Sequence, residues 1–129
     1  MKTDIKFQEI SLESIKLLVD NFYNKVRQEK ELKSIFEDKI GKSEEDWKPH
    51  LKNMYDFWSS IMLSSGKYKG NPLQKHRDLP AFDESKFEIW LRLFANTARE
   101  IHPEEIANQY IEKSKLIARS LRYGLYYRP

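Results

Sequence analysis

From Ser11 onward the apolar residues Ile15, Leu18, Val19, Phe22 and Val26 recur at i, i+3, i+4, i+7 and i+11, the spacing of one buried helical face. Ser11 stands just ahead of them with the short acceptor side chain that suits a helix N-cap, and Tyr23 sits beside the apolar face. Leu32, Ile35, Phe36 and Ile40 repeat the period over 31–40, and Gly41 then supplies a stop of the kind found just past helix ends. Ser43-Glu44-Glu45-Asp46 opens a third helix with acidic residues in its first turn, where they complement the helix dipole, and Pro49 is tolerable only near that start. Trp47, Leu51, Met54, Trp58 and Ile61 form its apolar stripe. His50, Met54, Phe57 and Ile61 follow the same period, so the imidazole lies at the edge of the buried face.

Ser64 to Pro72 carries the densest turn signals and reads as a loop. Leu73 to Leu79 is then a short helix between Pro72 and Pro80, with His76 on the side that Leu73 faces. Asp83 can cap a helix whose inward face is Phe87, Trp90, Leu91, Phe94, Ala98 and Ile101. Pro103 ends it and suits the first position of the last helix, where Ile106, Tyr110, Ile111, Ile117, Ala118, Leu121 and Leu125 continue the pattern. No segment reads as a strand pair and no repeat appears. The expectation is an all-α fold of unequal helices rather than a symmetric four-helix bundle.

A chain of 129 residues suffices for one domain that buries about two-thirds of its unfolded surface, so it needs no disulfide staples. The expected division is an extension over 1–10, a helical domain over 11–125 and a tail over 126–129. With no cysteine, thiolate metal sites, Fe–S clusters and cysteine nucleophiles are all excluded, which leaves histidines, carboxylates and hydroxyls for chemistry. Met1 to Ile10 alternates charged and apolar residues and has no run fit for a signal or a membrane span, so a soluble cytoplasmic protein is expected, with no membrane partner. The net charge of +3 is spread along the chain, too weak a signal for nucleic acid. Three Trp, seven Tyr and seven Phe beside only four glycines suggest helices closing over something large.

Of the three histidines, His102 precedes Pro103 and reads as a helix-boundary residue. His76 alone could be a polar residue on a surface helix. Its setting shifts the balance, because a short helix clipped by two prolines is a weak packing element yet presents His76 beside Leu73 and Leu79, as suits a ligand held against a flat apolar cofactor. His76-Arg77-Asp78-Leu79 also matches the start of a kinase catalytic loop, but the partner asparagine and the glycine-rich loop are missing. A zinc site would need at least about three protein ligands, and His50 has no suitable neighbour. Tyr23 and Trp90 stand out among the aromatics, since a buried phenol or indole needs a hydrogen-bond partner and a bound ligand could be it.

Several stretches together resemble the third group of truncated haemoglobins: Phe22-Tyr23, Ile35-Phe36, Trp47-Lys48-Pro49-His50, Phe57-Trp58-Ser59-Ser60, Tyr68-Lys69-Gly70-Asn71-Pro72, His76-Arg77-Asp78-Leu79-Pro80 and Trp90-Leu91-Arg92-Leu93-Phe94. The resemblance runs from about Leu17 to Leu125, and the double-glycine turns of the first two groups are absent. It implies a truncated globin fold, a shortened helical sandwich around a haem pocket, with haem b (iron protoporphyrin IX) as cofactor. It further implies His76 as the iron ligand, with Tyr23, His50 and Trp90 around the distal face where a gas binds. Phe36, Met54, Phe57, Leu73 and Phe94 would contact the haem, and Lys69, Lys75 and Arg77 are candidates for its propionates. The function implied is the binding of dioxygen or other small diatomic ligands by a monomer. The alternative is a haem enzyme for nitric oxide dioxygenation or peroxide reduction, served by an electron-donating reductase.

Overall fold

The computed structural model describes residues 7–70 and 83–127, the side chains of 126 and 127 excepted. Helix α1 spans Leu12–Val26 and begins where the spacing places it. The Ser11 hydroxyl accepts from the Ser14 backbone N–H (3.1 Å), and the Ser14 hydroxyl accepts in return from the Ser11 N–H (2.9 Å). Helix α2, Lys30–Ile40, stops at Gly41, whose φ of +121° is open to glycine; a Cβ there would also sit 2.3 Å from Asp46 Oδ2. That close approach lets Ser43 and Asp46 form the reciprocal cap of α3, Glu44–Leu63, while the Trp47 indole N–H donates to the Gly41 carbonyl (3.0 Å). Arg27 closes the corner from outside, its guanidinium 4.7 Å from the Trp47 ring and bonded to Glu44 (3.0 Å). Pro49 lies in the second turn of α3, beyond the free N–H groups of the start, and deprives Glu45 of one helical donor.

Helix α4 spans Lys86–Ile101 and α5 spans Glu104–Arg122, which continues as a π-helical turn over Tyr123–Tyr127. Two starts differ in detail from the sequence reading. Asp83 does not cap α4 itself: its carboxylate accepts from the Ser85 N–H (3.1 Å), and a lead-in turn closed by the Asp83 carbonyl and the Lys86 N–H (3.0 Å) precedes the helix. Pro103 is the cap of α5 rather than its first residue, because its ψ of 162° is extended and its carbonyl serves the N–H groups of Ile106 and Ala107. The short helix expected over 73–79 lies outside the described residues.

The described residues are mostly helical and contain no strand. α1 packs on α3 and on α4, α4 pairs with α5, and α2 bridges α3 and α4. Ile15, Leu18, Val19, Phe22 and Val26 meet Trp47, Trp58, Phe94, Ala98, Ile101 and Tyr110 in one buried core. Its centre is a run of parallel rings, with Trp58 and Phe94 at 4.8 Å and Phe94 and Trp90 at 5.7 Å.

His102 ties the segment before α1 to this core. Its ring is 1% exposed and stacks on Tyr110 at 5.4 Å. Nδ1 lies 3.0 Å from the Phe7 carbonyl, which can only accept, so Nδ1 carries the proton; the Phe7 N–H donates to the Ile101 carbonyl (3.1 Å). Nε2 is buried with no hydrogen-bond partner among the described residues, and burial lowers the imidazole below its ordinary value, against a smaller upward effect of the Phe7 carbonyl. The unfolded chain therefore binds the proton more readily than the folded one, and stability should fall as pH drops below about 6.5. Urea melts at pH 7 and pH 5 should show this loss shrinking in His102→Gln; an equal loss in both proteins would assign the effect to other groups.

Candidate functional site

The amphipathic pattern of α2 leaves a puzzle that the tertiary structure resolves. Of its apolar residues only Leu32 is buried. Ile35, Phe36 and Ile40 are only partly covered, because they line a cavity of about 360 Å³ bounded by α1, α2, α3, α4 and α5. Met54 and Phe57 of α3, Phe87 and Trp90 of α4, and Ile117, Ala118 and Leu121 of α5 complete a largely apolar wall. A volume of this order is that of a small-molecule site.

Three polar side chains singled out in the sequence reach this one cavity: Tyr23, His50 and Trp90 all line it. Tyr23 is 5% exposed, with its ring held edge-on to Phe22 (4.8 Å), Phe36 (5.9 Å) and His50 (4.8 Å). Its hydroxyl makes no hydrogen bond to a described residue, and burial pushes the phenol well above its ordinary value. It therefore stays protonated, a donor without an acceptor among the described residues. His50 is fixed by rings on three sides: Tyr23, Trp47 at 5.4 Å and Phe36 at 6.4 Å. Trp90 stacks on Phe94 with 3° between the planes and meets Phe22 edge-on at 5.4 Å. Its indole N–H likewise has no hydrogen bond among the described residues.

The lining includes Phe36, Met54 and Phe57, as the sequence reading expects. Phe94 is placed differently: it is fully buried between Trp58 and Trp90 and backs the cavity wall without lining it. Leu73 and His76 lie outside the described residues, as do Lys75 and Arg77. Lys69 is exposed and is not among the lining residues.

The cations that do line the cavity, Lys39 and Lys86, went unnoticed in the sequence, where nothing distinguishes them from other lysines of a charged helical surface. Lys86 pairs with Glu31 of α2 (2.5 Å), and this bond holds the Glu31 carboxyl below the usual carboxylate range. Leu121, Ile117 and Ala118 of α5 were legible as an apolar face, but not as cavity wall, because periodicity does not distinguish a neighbouring helix from a ligand. The arrangement suits a broad apolar ligand with a hydrogen-bond acceptor near Tyr23 and Trp90.

Comparison with known proteins gives a consistent result. The family described as bacterial-like globin matches residues 6–120. The chain is 42% identical over 122 residues to "Group 3 truncated hemoglobin ctb" of Campylobacter jejuni, covering 95% of this chain and 96% of the relative. The crystal structure of group III truncated hemoglobin from Campylobacter jejuni is similar with a TM-score of 0.92 at 41% identity, over 95% of this chain and 97% of that one.

Proposed function

Because the chain belongs to the bacterial-like globin family, as a truncated haemoglobin of the third group, we propose that its cavity holds haem b and takes dioxygen and other diatomic ligands. The observation that carries this reading is the meeting of Tyr23, His50 and Trp90 on the wall of one apolar cavity. Haem, when bound, would supply an iron that a histidine holds and that can take a small ligand.

His76 is that histidine in this reading. Two observations support it: His50 is packed among the rings of Tyr23, Trp47 and Phe36, and His102 is committed to the Phe7 carbonyl and does not line the cavity. Phe36, Met54, Phe57, Phe87 and Leu121 offer apolar surface to a flat ring and keep water from it; Leu73, three residues before His76 in the sequence, is assigned to the same set.

Tyr23 and Trp90 discriminate between ligands. A phenol that burial keeps protonated and an indole N–H both donate, so a diatomic molecule that draws negative charge is held while an apolar one gains little. His50 limits the space beside them, its ring edge pressed against Tyr23.

Titration of the purified chain with haemin tests the proposal. A sharp Soret band that saturates at one haem per chain is expected; a broad absorbance rising without saturation would refute specific binding.

A further inference from the structure

Lys86 is the first residue of α4, where the helix dipole disfavours a cation, and its side chain is only 24% exposed. A lysine that serves solubility alone would extend into water; this one lies on the cavity wall beside buried Phe87. Its ammonium reaches Glu31 Oε1 at 2.5 Å, across the gap between α4 and α2. Glu31 is far more open to water, at 48% exposed, so the ion pair is one that solvent weakens. Among the described residues the lining holds a second cation, Lys39, and a single carboxylate, Asp46, which already accepts from the Ser43 N–H in the cap of α3. Among the described lining residues two cations thus face one carboxylate.

We propose that Lys86 is a carboxylate-binding residue of the cavity: its ammonium, here paired with Glu31, exchanges that partner for an acidic group of the tetrapyrrole. The inference rests on the haem b reading, since protoporphyrin IX carries two propionates. A charge-assisted N–H···O bond in a partly dehydrated site is stronger than the same bond at the open surface. Exchange of Glu31 for the ligand's carboxylate leaves Glu31 to water, which solvates it readily.

The test compares haemin with haemin dimethyl ester, which has the same ring and no free carboxylate. Each is loaded into the wild-type chain, Lys86→Met and Glu31→Gln, and its release to excess acceptor apoglobin is followed at the Soret band, with far-UV circular dichroism verifying the fold. Lys86→Met should release haemin about tenfold faster than the wild type, a loss of about 1.4 kcal/mol. It should release the ester at the wild-type rate, and Glu31→Gln should release haemin no faster than the wild type. If both variants speed the release of both ligands alike, the pair is only a strut between α2 and α4 and the proposal falls; an unchanged haemin rate in Lys86→Met overturns it as well. A wild-type chain that forms no Soret band with either ligand would overturn the haem reading itself, an outcome distinct from any pattern among the variants.

Discussion

His76→Ala should abolish the sharp ferrous Soret band and the response of that band to carbon monoxide, while His50→Ala retains both. The expectation follows from the chemistry available to this chain. With no cysteine, a neutral imidazole is the natural iron ligand among its side chains, and there are three histidines. His102 is occupied, its Nδ1–H donating to the Phe7 carbonyl and its ring stacked on Tyr110. His50 lines the cavity but is wedged edge-on against Tyr23 and Trp47. In the proposed reading His50 would flank the bound gas together with Tyr23, which leaves the iron to His76. Loss of the iron bond should weaken haem retention by more than about tenfold, or 1.4 kcal/mol, and added imidazole should restore much of the spectrum by occupying the place of the missing ring. The reverse pattern, with His50→Ala losing the band and His76→Ala keeping it, would exchange the roles of the two histidines.

The helices of this protein were legible because each carries its own punctuation. Ser11 and Ser43 cap α1 and α3 with their hydroxyls, and Gly41 stops α2 in a conformation that a side chain would obstruct. Less legible were features set by two segments at once. The start of α4 shifts past Asp83 because that carboxylate serves a lead-in turn, and Pro103 stays outside α5 because its extended ψ turns the chain between two helices. Among the site residues, Tyr23, His50 and Trp90 each lie on or beside an apolar stripe, so their inward placement followed from the 3.6-residue period. The same period put Phe94 on the buried face, where it lies, but a helical face has depth, and Phe94 sits one layer behind the wall that Trp90 forms. Lys86 was invisible for the opposite reason. Its role depends on Glu31, 55 residues away, and no local pattern distinguishes a lysine that turns inward from one that does not.

Tyr23→Phe should accelerate dioxygen release by about tenfold, and Trp90→Phe by a similar factor, since each removes one N–H or O–H donor worth roughly 1–1.5 kcal/mol. Both substitutions keep the ring. Tyr23 retains its edge contacts with Phe22, Phe36 and His50, and a phenylalanine at position 90 can still stack on Phe94 and face Phe22, so the core loses little. The two donors act on one ligand, so their effects should not simply add: with one removed, the other is free to take its best geometry, and the second deletion costs more than the first. Carbon monoxide supplies the control, because it draws less charge when bound and gains little from either donor. Its release should change by less than about threefold in both single variants, well under the 1.4 kcal/mol of a tenfold step. Stopped-flow measurement of both gases on the same preparations separates the explanations. Parallel acceleration of dioxygen and carbon monoxide would mean that Tyr23 and Trp90 act by filling space; acceleration of dioxygen alone would mean that they act as donors. The burial that keeps the Tyr23 hydroxyl protonated also predicts that its contribution is flat from pH 6 to pH 9, since the phenol has no proton to lose in that range.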